Sequence, residues 1–165
     1  MNPPKEEINK EEIINTLAPL NFWGKEQETG ISRDRYLQEL SKRYNMKEAI
    51  AIVGIRRVGK STIAKQFLAN KIKQGLEKNQ TLYVNLEEPA FAPFLNLKLL
   101  DKIYDAYREI INPEKFAVIV LDEIQNIPQW EKWVRMQMEK NEKIKIIVTG
   151  SSSKLLSSEY STVLS

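Results

Sequence analysis

The chain has 165 residues with a net charge of +3, 42% hydrophobic and 28% charged residues, and neither cysteine nor histidine. This composition is typical of a folded globular domain, and the missing residue types exclude disulfides, thiol or histidine catalysis, and zinc sites built on Cys or His. No apolar run approaches the ~20 residues of a membrane-spanning helix, and the N-terminal MNPPKEEINKEE lacks the apolar core of a signal peptide. We therefore expect a cytoplasmic protein with no membrane partner, whose mild basic excess permits nucleic-acid contact without indicating it.

Short apolar runs alternate with amphipathic stretches along the chain. In chain order the pattern predicts a helix over 6–17, an irregular segment over 20–32 and a helix up to residue 44, then strands over 49–55, 81–87, 116–124 and 143–151 with a helix after each of the first three strands. This alternation is typical of an α/β fold of three layers, with a mostly parallel sheet between helices. We predict two parts, an N-terminal helical and irregular segment over 1–48 that packs on a core formed by 49–165.

The stretch AIAIVGIRRVGKSTIAKQFL, residues 49–68, joins an apolar strand to an amphipathic helix through a loop that contains glycine. It fits the pattern G-x-x-x-x-G-K-[ST], in which glycines let backbone N–H groups surround an anion and the helix start adds positive partial charge. Lys60 supplies a mobile charge for the β and γ phosphates of a nucleotide, and the Ser61 hydroxyl is a hard oxygen ligand for Mg²⁺. The predicted nucleotide-binding residues are Gly54, Arg57, Val58, Gly59, Lys60, Ser61 and Thr62. A glycine turn with a surface lysine is the alternative.

A second motif, VIVLDEIQ at residues 118–125, ends a very apolar strand with two carboxylates. In a parallel sheet the carboxyl end of such a strand lies beside the phosphate loop. We predict that Asp122 holds Mg²⁺ together with Ser61, and that Glu123 accepts the proton of an attacking water, a role typically worth ~10²–10⁴-fold in rate. Without the loop, an Asp-Glu pair after a strand is more often an ordinary helix or turn start.

A third motif, IIVTGSSS at residues 146–153, places small hydroxyl residues after a predicted strand. Either Ser151 or Thr149 is the candidate to orient the attacking water, although such residues commonly only form turns. Trp130 and Trp133 lie at helical spacing, which favours packing in the core over an exposed partner surface.

With GIRRVGKST, YVNLEEP, VLDEIQNIPQWEKWV and IIVTGSSSKLLSSE in this order, the chain from Asn21 to Ser165 resembles a prokaryotic family of AAA-type P-loop ATPases common in archaea. The resemblance implies ATP and Mg²⁺ as cofactors and ATP hydrolysis, with the roles given above for the loop, the Asp-Glu pair and the serine-rich motif. It also implies that FWGKEQETGISR, residues 22–33, lies near the adenine.

Members of that family typically continue with a Gly-Arg pair, a fifth strand, a helical lid and a C-terminal domain, whereas this chain ends at Ser165. The resemblance therefore implies an N-terminal fragment or a truncated gene product. On that basis we expect four strands in the order 2-3-4-1, with the first strand on an edge that a missing fifth strand would have covered.

These features favour an ATP-binding, Mg²⁺-dependent ATPase module, a switch or motor that is weakly active alone and binds ATP and ADP. The sequence is compatible with a homo-oligomer and with a DNA or protein partner. One alternative is a P-loop small-molecule kinase, although no lid arginines follow the third predicted strand. The other is a non-catalytic module that binds nucleic acid or protein through its basic surface.

Overall fold

The computed structural model describes residues 3–54, 59–151 and 161–164, which form a parallel sheet with helices on both faces. The strands are β1 Ile50–Val53, β2 Thr81–Asn85, β3 Ala117–Asp122, β4 Ile144–Gly150 and β5 Ser161–Leu164. Their order is β2-β3-β4-β1-β5, and each neighbouring pair is parallel. The predicted α/β fold and the order 2-3-4-1 of the first four strands are confirmed.

The expectation that the fifth strand is missing and β1 lies on an uncovered edge is wrong, because β5 pairs with β1. Ile50 lies opposite Ser161 and Val53 opposite Leu164, so the pairing extends along the whole of β1. A strand at an open edge presents unpaired backbone N–H and C=O groups. At β1 the short strand β5, with the sequence STVL, pairs with this edge. Four residues behind a serine-rich run are too few to produce a recognisable strand pattern.

The helices fill both faces of the sheet. In the described residues they are α1 Lys10–Leu17, α2 Asp34–Arg43, α3 Lys60–Lys73, α4 Leu97–Ile110 and α5 Trp130–Lys140, with short 3-10 turns at Ala18–Leu20, Lys78–Gln80, Pro89–Phe94 and Ile124–Asn126. Asn9 and Asn96 are the N-cap residues of α1 and α4, and the side chain of each accepts a hydrogen bond from a backbone N–H of the first turn. None of the helices in these ranges has the length and apolar character that crossing a bilayer demands.

Successive residues of the strands face two separate apolar cores. Ala51 and Val53 of β1 lie in the core that α1, α4 and α5 cover, whereas Ile50 and Ile52 lie in the core that α2 and α3 cover. A strand buried on both faces reads as a continuous apolar run, which is why β1 and β3 stand out in the sequence.

The two tryptophans of α5 belong to the first of these cores. Trp130 and Trp133 are 4% and 3% exposed, and Trp133 Nε1 donates a hydrogen bond to Asp101 Oδ1 at 2.8 Å. Their predicted packing in the core is confirmed, and they form no exposed partner surface.

Residues ahead of α2 cover the other sheet edge, β2. Asn21 Nδ2 donates to Tyr83 O at 2.8 Å and Asn21 Oδ1 accepts from Tyr83 N at 2.7 Å, as a neighbouring strand would do. Trp23 Nε1 adds a hydrogen bond to Thr81 O at 3.0 Å. The N-terminal segment thus has direct contacts with the sheet, while the division of the chain after residue 48 stays a prediction.

Candidate active site

The predicted phosphate loop runs from β1 to α3 at the carboxyl end of the sheet. Gly54 follows β1, and its N–H donates to Gly150 O at 3.4 Å. Gly59 precedes α3 with φ +89, a left-handed conformation that glycine adopts without strain. The loop therefore leaves a strand and enters a helix, as its sequence pattern predicts. Arg57 and Val58, two of the predicted loop residues, lie outside the described residues.

Lys60, the first residue of α3, is only 4% exposed. Its Nζ donates to Gly54 O at 3.1 Å and lies 3.9 Å from Glu123 Oε1. Lysine is seldom buried this deeply unless its ammonium group is paired. The positive charge is thus held at the mouth of the loop, between the end of β1 and the tip of β3.

Asp122, the last residue of β3, is 2% exposed and accepts three hydrogen bonds from hydroxyl groups. Ser61 Oγ donates to Asp122 Oδ2 at 2.6 Å, the Tyr83 hydroxyl donates to the same oxygen, and Thr149 Oγ1 donates to Oδ1. The three donors come from α3, β2 and β4, which surround the tip of β3. The structure therefore brings together Ser61 and Asp122, the two predicted metal ligands.

The donor set around Asp122 suits a hard cation. A hydroxyl and a carboxylate supply oxygen ligands of the kind that Mg²⁺ prefers. No group of three or more Asp, Glu, His or Cys side chains with metal-binding geometry occurs in the described part of the chain. A metal ion here would therefore draw on Ser61, Asp122, water and the oxygens of a bound ligand, which is the usual arrangement for Mg²⁺ with phosphates.

Glu123 follows β3 in a left-handed conformation, with φ 57 and ψ 49. Residues with side chains adopt it rarely, at a cost of about 1–3 kcal/mol, and they are concentrated at functional sites. The Glu123 N–H donates to Thr149 Oγ1 at 3.0 Å, and Glu123 Oε2 accepts from Gln125 Nε2. This bend turns the Glu123 carboxylate toward Lys60.

Of the two hydroxyl candidates near the end of β4, Thr149 lies in the cluster. Thr149 is fully buried and connects Asp122 Oδ1 to the N–H of Glu123. Ser151 directly follows β4 and is exposed. Thr62, the last of the predicted loop residues, lies in the first turn of α3 and is half-buried.

Tyr83 belongs to this cluster, although sequence reasoning did not include it among the site residues. It is 3% exposed on β2, and burial together with the charge of Asp122 raises the pKa of its phenol. The hydroxyl therefore keeps its proton and stays a donor to Asp122. No local sequence pattern marks Tyr83 as a site residue among the residues of TLYVN. Tyr83 comes close to Asp122 only because β2 pairs with β3 in the folded sheet.

A protein-family model described as an AAA domain matches residues 46–165. An uncharacterized protein of Haemophilus influenzae is 29% identical over 135 residues, which cover 82% of this chain and 33% of that protein. An uncharacterized protein of Methanocaldococcus jannaschii is 31% identical over 113 residues, which cover 68% of this chain and 23% of that protein. The chain thus spans about a third or less of the length of these two relatives.

Among solved structures, Caenorhabditis elegans PCH-2 is similar to this chain with a TM-score of 0.51. The alignment covers 94% of this chain and 42% of PCH-2, at 14% sequence identity. At this identity the similarity concerns the fold alone.

Proposed function

The chain belongs to the AAA-domain family, and on that premise we propose that it is an ATP-binding, Mg²⁺-dependent ATPase module. The observation that carries the proposal is the contact between Ser61 and Asp122 at 2.6 Å beside Lys60 and Glu123. A cation, a hydroxyl and two carboxylates converge where a glycine-containing loop enters a helix. This combination suits a ligand that is both multiply anionic and accompanied by Mg²⁺.

In this proposal the loop between β1 and α3 holds the phosphate chain of ATP. Backbone N–H groups at the start of α3 and the positive end of the helix face the anion. Lys60 adds a full charge at the same place, and its burial strengthens the electrostatic attraction relative to a solvent-exposed lysine. The half-buried Thr62 contributes from the first turn of the helix.

Ser61 and Asp122 are the residues proposed to hold Mg²⁺. When bound, the ion would neutralise negative charge on the β and γ phosphates. Tyr83 and Thr149 hydrogen-bond the Asp122 carboxylate and so hold it in one orientation. Ligand carboxylates that are themselves hydrogen-bonded in this way are typical of metal sites.

Hydrolysis would transfer the γ-phosphoryl group to water. A bond forms between the water oxygen and the γ-phosphorus, the bond to the bridging oxygen breaks, and ADP and inorganic phosphate are released. Glu123 accepts the water proton, and Lys60 offsets negative charge on the phosphates. Thr149 fixes the position of Glu123 through its N–H, while Ser151 remains the second candidate for orienting the water.

We expect turnover by the 165-residue chain alone to be slow. The Glu123 carboxylate accepts a hydrogen bond from Gln125 Nε2 and lies 3.9 Å from Lys60 Nζ, so these contacts have to change before the carboxylate can take a proton from water. A DNA or protein partner, or a second copy of the chain, would raise turnover by changing these contacts. Phosphate release measured against chain concentration and against added DNA tests this part of the proposal.

Ligand-dependent thermal unfolding tests whether ATP binds at all. ATP with Mg²⁺ at 100 times its Kd should stabilise the protein by ~2.7 kcal/mol, which raises Tm by roughly 5–10 °C for a chain of this size. Lys60→Ala should remove the shift, whereas Lys73→Ala, an exposed lysine at the other end of α3, should retain it. No shift in the natural chain, or an equal shift in Lys60→Ala, contradicts the proposal.

The product distinguishes hydrolysis from phosphoryl transfer to another molecule. Free inorganic phosphate formed from ATP and water supports an ATPase. A phosphorylated acceptor in place of free phosphate would instead support a kinase.

A further inference from the structure

Residues 29–33, just ahead of α2, are tied to α3 by one buried glutamine. Gln66 is 3% exposed, and its Nε2 donates to Thr29 O and to Ile31 O, both at 2.7 Å. Its Oε1 accepts from Arg33 N at 3.1 Å. Because α3 is the helix that begins with Lys60, these contacts fix the segment relative to that helix.

The anchored segment places the Arg33 side chain against Gly59. A Cβ built on Gly59 would lie 2.8 Å from each of three guanidinium atoms of Arg33, namely Cζ, Nη1 and Nη2. Equal distances to three atoms of a planar group mean that its flat face covers the glycine. The N–H donors of a guanidinium lie in the plane of the group, so they point to the sides of Gly59 and not at it.

The location of Arg33 brings a cation from outside the loop sequence to the start of α3. Gly59 immediately precedes Lys60, so the guanidinium lies at the N-terminal end of α3. A cation is disfavoured at the positive end of a helix dipole, and a bound anion reverses that preference. A guanidinium also offers a planar set of donors that matches two phosphate oxygens at once, which an ammonium group does not.

We propose that Arg33 is a further phosphate-contacting residue, whose guanidinium binds the phosphate chain of ATP alongside Lys60. This inference rests on the proposed function. Arg33 is also the N-cap residue of α2, so its contact joins the bound phosphates to the start of that helix.

Competition binding with a fluorescent ATP analogue tests the inference. The affinity of the analogue is measured for the natural chain and for Arg33→Ala, Arg33→Lys, Arg35→Ala and Lys60→Ala. Where the analogue binds, its displacement by unlabelled ATP and by inorganic triphosphate is measured as well. Arg35 is an exposed arginine two residues further on in α2 and serves as the matched control. The melting temperature of each variant without ligand verifies that it is folded.

We expect Arg33→Ala to weaken binding of ATP and of triphosphate in parallel, by about tenfold, the scale of one lost hydrogen-bonded charge contact. Arg33→Lys should recover part of the loss, and Arg35→Ala should bind like the natural chain. The salt dependence of the affinity should also become less steep in Arg33→Ala, because one ionic contact is gone.

Two results would overturn the inference and leave the proposed function intact. In the first, Lys60→Ala loses ATP binding while Arg33→Ala binds like Arg35→Ala. In the second, Arg33→Ala weakens ATP but not triphosphate, which would place Arg33 at the base or ribose. Failure of the natural chain to bind the analogue would instead remove the proposed function, and the inference with it.

Discussion

Ser61 and Asp122 are joined by a hydrogen bond from Ser61 Oγ to Asp122 Oδ2 at 2.6 Å, although 61 residues separate them in the sequence. In the sheet β4 lies between β1 and β3, so this contact reaches from the exit of the phosphate loop across one intervening strand. Thr149, at the end of that intervening strand, donates to the other oxygen of Asp122. Both oxygens of the carboxylate are therefore held by hydrogen bonds.

Ser61→Ala should weaken binding of ATP in the presence of Mg²⁺ and leave binding in EDTA unchanged. The substitution removes one of two proposed oxygen ligands, and we expect a loss of at least about tenfold, the scale seen even when outer partners of metal ligands are removed. Ser61→Thr keeps the hydroxyl and is the matched control. Isothermal titration with and without Mg²⁺ measures the difference, and equal losses in both conditions would argue against a metal role for Ser61.

Thr149→Val should destabilise the fold by about 1–3 kcal/mol, because a buried donor and acceptor lose their partner. Thr149 is fully buried, and the variant leaves the Glu123 N–H without its acceptor and Asp122 Oδ1 without a donor. Thr149→Ser retains the hydroxyl and should recover most of the loss. Urea unfolding at equilibrium gives the free energies, and an unchanged midpoint for Thr149→Val would contradict the bridging role.

The sheet and the core of the site could be predicted from sequence because their signals are local. Continuous apolar runs identify β1 and β3, and the glycine pattern identifies the loop from its own residues. The meeting of Ser61 with Asp122 then follows from topology, since the carboxyl ends of parallel strands lie at one edge of the sheet.

The remaining site residues depend on contacts that no short pattern encodes. In the sequence, Gln66 is indistinguishable from any other polar residue of an amphipathic helix. In the structure its side chain accepts a hydrogen bond from the backbone N–H of Arg33, 33 positions away. Tyr83 reaches Asp122 only through the pairing of β2 with β3. The strand β5 was missed for the same reason, because four residues form it only where the edge of β1 is available.

Glu123→Gln should retain ATP binding and lose turnover. The substitution preserves the shape of the side chain but removes the base, so we expect phosphate release to fall by ~10²–10⁴-fold while the Kd for ATP changes little. Glu131→Gln, an exposed glutamate in the first turn of α5, is the matched control. Turnover by Glu123→Gln equal to that of Glu131→Gln would exclude Glu123 as the base.

Tyr44, Tyr83 and Tyr107 should resist ionisation in the folded protein. Burial raises the pKa of Tyr44 and, to about 12, that of Tyr107, while burial and the Asp122 carboxylate raise the pKa of Tyr83. At a pH just above the ordinary value of 10.0, the native chain should show a smaller tyrosinate absorbance in the near ultraviolet than the urea-unfolded chain, because these three phenols keep their protons in the native state. Equal absorbance of the two forms would contradict the predicted burial of these phenols.

The same shifts set the sign of a stability change at alkaline pH. Below pH 10 both states keep the phenolic protons, so the three tyrosines contribute no pH dependence there. Above pH 10 the unfolded chain loses these protons while the native chain keeps them, so the native state binds more protons and the free energy of unfolding falls as pH rises. Tyr107→Phe removes one such group, so its unfolding free energy should fall less steeply over this range than that of the natural chain. Parallel curves for the two proteins would show that Tyr107 ionises alike in both states.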